Sequence, residues 1–252
     1  MKSLWIETTK DEIILNPLEK EKETEICIIG GGLFGLTTAY YLTQQGKKVI
    51  VLEKGEIGEK VSGNTTGKIT SQHGLFYEHL INDYGKEYAK KYLEANEEAI
   101  ENIKEIIKKE QIECEFYKQN AYIYTTQEDE VIEIQKEVEA VKELGKEAEF
   151  VTKTELPFKI KGAIKFKEQA QFHARKYMIG LCKSILKQNE IYAYTTVTDV
   201  VKEGDKYNIY TDRGNVKAKY VVIATHYPII NMPGYYFTKM YQSTSYLIAI
   251  ET

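Results

Sequence analysis

Little in this 252-residue chain favours an extended or unfolded state: proline is scarce, at 4 residues, and glycine is held to 17. Those values exclude a collagenous, Pro-rich or disordered chain. A basic excess is also missing. Lys plus Arg totals 34 against 38 Asp plus Glu, a net charge of -4, so nothing drives binding to nucleic acid or to an anionic membrane. Cysteine is held to Cys27, Cys114 and Cys182, with no CxxC pair, which argues against a disulfide framework or a zinc knuckle. No metal site is expected. Long apolar runs are absent too. The first 25 residues hold only Ile13-Ile14-Leu15 between charges, too short for a signal-peptide core and far below the ~20 apolar residues of a membrane span. A soluble protein of a reducing compartment, the cytoplasm, is the expectation.

What is present is a hydrophobic fraction of 42%, enough to bury a sizeable core in one or two domains. Glu25 to Ile29 is a short apolar run that ends in three glycines and reads as a buried strand. Leu33 to Gln45 has helical spacing and stops at Gly46, a helix-ending residue. Lys48 to Leu52 is a second buried strand, completing a βαβ unit. A polar, Gly- and Thr-rich loop follows from Glu53 to Gly74, too long for a simple connection. Leu75 to Lys109 reads as two helices breaking near Asp83-Tyr84-Gly85, their charges forming a solvated face. Glu113 to Thr126 reads as strands with a turn near Gln119-Asn120, and Glu128 to Leu144 as a charged helix ended by Gly145. A short strand at Ala163 to Phe166 and a helix from His173 to Leu186 come next. Then Ile191 begins a run of short strands with tight turns at Gly204-Asp205 and Arg213-Gly214. It closes on Tyr220 to Ala224, read as a buried strand.

Gly30-Gly31-Gly32-Leu33-Phe34-Gly35 matches GxGxxG after a strand and at the start of a helix, and Glu53 ends the next strand. That is the setting a dinucleotide fingerprint requires. Gly30 permits the tight turn, Gly32 the approach of a pyrophosphate, and Gly35 close helix–sheet packing. Helix N–H groups and the helix dipole hold phosphate without a basic side chain. Glu53 would accept a hydrogen bond from a ribose hydroxyl and repel a 2′-phosphate. FAD and NAD share this fingerprint, so its spacing does not choose between them. Two later features lean toward FAD: the dense polar run from Ser62 through Thr65, Thr66, Gly67, Lys68 and Ile69 to Gly74, and the return of Val221-Val222-Ile223-Ala224-Thr225 to the front sheet.

With these motifs the chain resembles the FAD-dependent oxidoreductases of the D-amino-acid oxidase and glycine oxidase (DAO) family. It is most similar to the bacterial branch that often carries a C-terminal Rieske iron–sulfur domain. Ser3-Leu4-Trp5, the TTGKITSQHG run, Gln171-Phe172-His173 and Asn231-Met232-Pro233-Gly234-Tyr235-Tyr236 carry that likeness. The resemblance implies an α/β fold: a Rossmann-like FAD-binding domain, parallel sheet plus antiparallel meander, interleaved with an incomplete α+β substrate domain. The domains expected are an arm at 1–24, an FAD-binding domain at 25–112 and 168–240, and a partial substrate domain at 113–167 and 241–252. By motif, Gly30, Gly32, Leu33, Phe34 and Gly35 would meet the pyrophosphate, and Glu53, followed by Lys54, the adenosine ribose. Ser62 and Thr65 to Ile69 would line the phosphates, ribityl chain and flavin ring. Val197 would contact adenine through its backbone, and Ala224-Thr225 would abut the cofactor.

The implied chemistry is oxidation of a C–N bond in a small amine or amino acid by hydride transfer to flavin, which needs no obligatory general base. No catalytic residue is assigned. His73 reads as a surface or supporting histidine, His226 as a turn residue, and Lys68 as either solvent-facing or a cation beside the flavin. The family commonly holds a substrate carboxylate with arginine or tyrosine, yet only Arg175 and Arg213 are present. Four histidines without paired cysteines cannot form a Rieske centre, so such a centre would belong to a downstream domain or a partner chain. The sequence stops at Tyr246-Leu247-Ile248-Ala249-Ile250-Glu251-Thr252, which reads as mid-strand. The expectation is therefore the N-terminal portion of a longer enzyme. The alternatives are a catalytically inactive nucleotide-binding module and an NAD-dependent dehydrogenase.

Overall fold

The apolar run Ile26-Cys27-Ile28-Ile29 is buried along its whole length, with every residue at 7% exposure or less. A strand buried on both faces cannot alternate polar and apolar residues, and it belongs inside a parallel sheet. The computed structural model describes residues 3–10, 12–232 and 234–243. In chain order its elements are α1 (Leu4–Glu7), β1 (Lys22–Ile29), α2 (Leu33–Gln44), β2 (Val49–Leu52), a 3-10 turn (Ser62–Asn64), β3 (Lys68–Ile69), α3 (Tyr77–Tyr84), α4 (Lys86–Glu110), β4 (Tyr117–Thr125), α5 (Val131–Glu143), β5 (Ala148–Val151), β6 (Gly162–Gln171), α6 (Ala174–Ile185), β7 (Glu190–Tyr192), β8 (Val197–Glu203), β9 (Lys206–Thr211), β10 (Val216–Ile223) and a second 3-10 turn (Tyr236–Lys239). They form two compact units, 1–64 with 181–252, and 65–180. Segments 65–112 and 168–180, expected with the cofactor domain, therefore cluster with the second unit, because their strand and helix partners lie there.

The first unit holds a six-stranded sheet in the order β7-β2-β1-β10-β9-β8. β7, β2, β1 and β10 run parallel, while β10, β9 and β8 form the antiparallel meander. Cys27 and Ile29 alternate onto one face with Ile50, Leu52, Ile209, Val216 and Ala218, packing around Leu18. Helix α2 packs beside β1 and β2 and buries Gly35, Leu36, Ala39, Tyr40 and Thr43, one stripe at helical spacing. It ends as expected. Gly46 has φ +73°, its N–H donates to the Thr43 carbonyl and that of Lys47 to the Leu42 carbonyl, the bonds of a Schellman cap.

Residues 220–224 are not the buried strand expected. Residues 220–223 are the end of β10, which begins at Val216, Ala224 lies beyond it, and Tyr220 is 50% exposed. β9 pairs with β10 only over Val216–Ala218, so beyond that point β10 has β1 as its one strand neighbour among the described residues.

The second unit is an antiparallel sheet centred on β6. β4 lies along one edge of β6, while β3 and β5 share the other. Helices α3, α4 and α5 cover one face, packing Tyr77, Leu93, Ile134, Val138 and Val141 with Ile164 and Phe166 of β6. Two expectations change here. Gln119-Asn120 is no turn, since β4 runs through it with a β-bulge between Gln119 and Ala121, where an extra residue bends a strand without ending it. The short strand at Ala163 to Phe166 is the start of the ten-residue β6. The 53–74 loop carries the 3-10 turn and β3 within it. Pro233 and the run from Tyr246 to Thr252 lie outside the described residues.

All three thiols are unpaired and buried. Burial pushes Cys27 and Cys182 up to about 12 and Cys114 to about 11, and the thiolate is the reactive form. With an aromatic disulfide reagent at about pH 8, the native protein is expected to show no fast-reacting thiol, and the denatured protein all three. A rapid thiol in the native state would contradict this burial.

Candidate nucleotide site

The site is built where the parallel strands of the first unit end. The Gly30 N–H donates to the Leu52 carbonyl, and the Ala224 N–H to the Ile29 carbonyl, both at 2.8 Å, so the chain leaves β1 held from both sides. Gly30 is at φ +117°, and a Cβ there would lie 2.6 Å from the Ala224 carbonyl oxygen. Only glycine fits. α2 starts at Leu33 with Gly32 as its N-cap and no side-chain cap from that residue. Its first N–H groups therefore have no intrahelical partner. The Leu33 N–H donates to Ser62 Oγ at 3.0 Å. A Cβ on Gly32 would meet that same Ser62 oxygen at 3.1 Å and nothing else within 4 Å.

Glu53 continues the β2–β7 ladder. Its N–H donates to the Tyr192 carbonyl at 2.8 Å, and its own carbonyl accepts from the Thr195 N–H at 2.9 Å. The carboxylate is fixed by the glycine loop. Oε2 accepts from the Gly31 N–H at 2.7 Å and Oε1 from the Gly55 N–H at 2.9 Å. A carboxylate has about four acceptor positions, so two remain.

These groups face a cavity of about 870 Å³, within the range of small-molecule and cofactor sites. Of the residues singled out by sequence, Gly30, Gly32, Leu33, Phe34, Glu53, Lys54, Ser62, Val197, Ala224 and Thr225 line it. Gly35 does not. It is buried, and a Cβ there would lie 2.0 Å from the Gly30 carbonyl oxygen, so it serves the close approach of helix and loop. Thr65, Thr66, Gly67, Lys68 and Ile69 belong to the second unit, with Lys68 and Ile69 forming β3. His226 is exposed on the cavity wall, and His73 is exposed beside Asn96, 3.4 Å from its Oδ1.

Sequence reasoning passed over Thr195 and Thr196, which enter β8 beside Val197, and Glu56 with Gly58 to Val61, all on the cavity wall. A threonine pair at a strand entry was the available signal. The residues present suit a dinucleotide: helix-end donors without intrahelical partners for phosphate, a held carboxylate for a ribose hydroxyl, and the buried Thr225 Oγ1, which has no hydrogen-bond partner among the described residues. Among the described residues no group of three or more His, Cys, Asp or Glu is placed to hold a metal ion. None of the described helices is long and apolar enough to cross a membrane.

The profile of the family described as DAO, FAD dependent oxidoreductase, matches residues 25–252. The chain belongs to that family. FAD is the family's cofactor, and the parallel sheet with its meander is the family's FAD-binding fold. A Bacillus subtilis protein named as a Rieske 2Fe-2S iron–sulfur protein, YhfW, is 36% identical over 236 residues, covering 93% of this chain and 46% of that one. The gamma-glutamylputrescine oxidoreductase of Escherichia coli is 25% identical over 207 residues, 79% of this chain and 48% of that one. The crystal structure of glycine oxidase from Geobacillus kaustophilus superimposes with a TM-score of 0.65 at 19% identity, over 81% of this chain and 55% of that one. This DAO-family chain thus spans about half the length of the curated relatives it matches.

Proposed function

We propose that the chain carries the FAD-holding part of an oxidoreductase that oxidises the C–N bond of a small amine or amino acid. The observation that carries this reading is the cradle formed by Gly30, Gly32, the start of α2 and the clamped Glu53 on one cavity. The family match supports FAD as its occupant, and relatives named for glycine and gamma-glutamylputrescine support the substrate class.

In this reading the N–H groups at the start of α2 hold the pyrophosphate, with Ser62 Oγ giving up or sharing its bond to Leu33. Gly35 keeps that helix end in place. Glu53 accepts from the adenosine ribose, with Lys54 beside it. Val197 meets adenine through its backbone, while Ala224 and Thr225 close the wall and Thr225 Oγ1 gains a partner. Thr65, Thr66, Gly67, Lys68 and Ile69 are assigned to the ribityl chain and flavin on their motif alone. When bound, FAD supplies the acceptor for a hydride from the carbon that bears nitrogen. The protein's part is to orient substrate and exclude water. A Rieske centre, in a further domain or a partner chain, is proposed from the likeness to YhfW. A cytoplasmic setting is proposed from the three unpaired thiols.

The test is a titration of the purified chain with FAD, followed by flavin absorbance and fluorescence. Saturable uptake at micromolar or tighter affinity is expected. A chain that ignores FAD and binds NAD would replace this reading with a nicotinamide dehydrogenase.

A further inference from the structure

The segment that joins β7 to β8 carries a strained residue beside the nucleotide site. Tyr194 has φ +49°, in the left-handed region where a bulky side chain crowds the backbone. Such a conformation persists only where the surroundings dictate it, and it concentrates at functional sites. Here the surroundings are the Glu53–Gly55 stretch on one side and the N-terminal arm on the other, all within the first unit. Toward the site, the kink continues the ladder that begins at Glu53. The Thr195 N–H donates to the Glu53 carbonyl at 2.9 Å, and the Tyr194 N–H to the Gly55 carbonyl at 3.3 Å. Gly55 is the residue whose own N–H holds Glu53 Oε1. The segment 192–195 therefore grips both the backbone of the carboxylate and one of its two clamps.

Toward the arm, Thr195 is the meeting point, and it is buried. Its Oγ1 accepts from the Leu18 N–H at 3.0 Å and donates to the Ala193 carbonyl at 2.9 Å, so one hydroxyl bridges the kink across Tyr194. The Ala193 N–H donates in turn to the Asn16 carbonyl at 3.2 Å. Leu18 is fully buried in the core formed with β1 and β2, which anchors the arm where it crosses the segment. A buried hydroxyl costs free energy unless it is hydrogen-bonded, and a valine of the same shape would pack there without that cost. What the hydroxyl adds is direction. It sets the spacing of Ala193 and Thr195, and with it the place of the N–H that holds Glu53.

We infer that Thr195 is a positioning residue for Glu53: across the kink at Tyr194 it ties the N-terminal arm to the carboxylate that meets the ribose, and makes the arm a working part of the nucleotide site. This rests on the reading that Glu53 accepts from the ribose of FAD. The Thr195 hydroxyl is engaged by the arm and the kink, so it acts through Glu53 and not on the cofactor.

The test compares Thr195→Val, which keeps the shape and removes the hydroxyl, with Thr195→Ser, which keeps the hydroxyl, in the full chain. Each is made in the wild-type and in a Glu53→Ala background. The FAD dissociation constant is read by flavin fluorescence, beside the thermal melt of the FAD-free protein. Thr195→Val is expected to raise the dissociation constant about tenfold, the equivalent of one hydrogen bond, and Thr195→Ser to stay within about twofold of wild type. In the Glu53→Ala background Thr195→Val should change affinity by less than about twofold, because the group it positions is gone. A merely structural threonine would weaken binding equally in both backgrounds, and that result overturns the inference. So does an unchanged dissociation constant in Thr195→Val, or a serine variant as weak as the valine one. Should Thr195→Val fold poorly, Thr195→Ala removes the same hydroxyl without a branched side chain and takes its place in the comparison. These results leave the FAD reading standing, whereas a wild-type chain that takes up no FAD overturns both.

Discussion

Gly32→Val is expected to lose FAD binding by at least about a hundredfold while the protein stays folded. The three fingerprint glycines have separable duties, and the geometry at each says which duty fails. At Gly32 the backbone is extended, with φ -86° and ψ -177°, a conformation any residue adopts. A Cβ there meets only the Ser62 hydroxyl, at 3.1 Å, and a serine side chain can turn away. Folding therefore tolerates valine. The anion does not, because the methyl groups occupy the approach to the first N–H groups of α2, and each charge-assisted bond lost is worth roughly 1.5–3 kcal/mol. Gly35→Ala should show the reverse order of damage. Its Cβ would lie 2.0 Å from a backbone oxygen, so helix and loop must separate, at roughly 3 kcal/mol. A flavin titration and a thermal melt on both variants separate the two outcomes. Equal loss of stability in both, or undiminished FAD affinity in Gly32→Val, would mean that the loop does not cradle phosphate.

That separation was legible in the sequence because the fingerprint is local. Strand, turn, helix start and the acidic residue lie within Glu25 to Glu53, and turn chemistry at Gly30 and Gly46 acts within a few residues. The two-residue turn at Gly204-Asp205 was legible for the same reason, with Glu203 pairing to Lys206 across it. The missed features share a different property. The bulge near Gln119 depends on which strand β4 pairs with, and β5, unread from its four residues, exists because β6 offers it an edge. The exposure of Tyr220 in β10 depends on how far β9 extends. Most telling are the helix charges. The face of α4 does carry exposed Glu and Lys, but Glu97 is drawn into a network reaching Gln169, 72 positions away. Glu137, in the helix read only as charged, is 1% exposed. Periodicity can mark a face as polar. It cannot distinguish the carboxylate that finds buried donors from those left in water.

Glu137→Ala is expected to destabilise the protein by roughly 3–5 kcal/mol, the cost of leaving several buried neutral donors without their acceptor, and the reason lies in α3 rather than in α5. Helix α3 begins after Phe76, which supplies no side-chain cap. Glu137 supplies the cap from α5. Its Oε1 accepts from the Phe76 and Tyr77 N–H groups and its Oε2 from the Glu78 N–H, all at 3.0 Å, while Gln72 Nε2 donates to Oε1 at 2.9 Å. A carboxylate at a helix N-terminus also complements the helix dipole. Alanine would leave these donors unsatisfied around Tyr77, which is fully buried, and a buried unmatched donor costs about 1–3 kcal/mol. Glutamine keeps the acceptor oxygen but turns its amide toward one of the backbone donors, so Glu137→Gln should cost roughly half as much. Urea denaturation of the three proteins, with the slope of the transition held constant, measures the difference. An alanine variant within about 1 kcal/mol of wild type would mean that water, rather than this carboxylate, satisfies the start of α3. Because Gln72 directly follows Ser71, whose hydroxyl donates to Glu97 on α4, the same substitution should also loosen the loop around Ser71. The double variant Glu97→Ala/Glu137→Ala is then expected to fall short of the sum of the two single losses, the non-additivity of residues sharing one network.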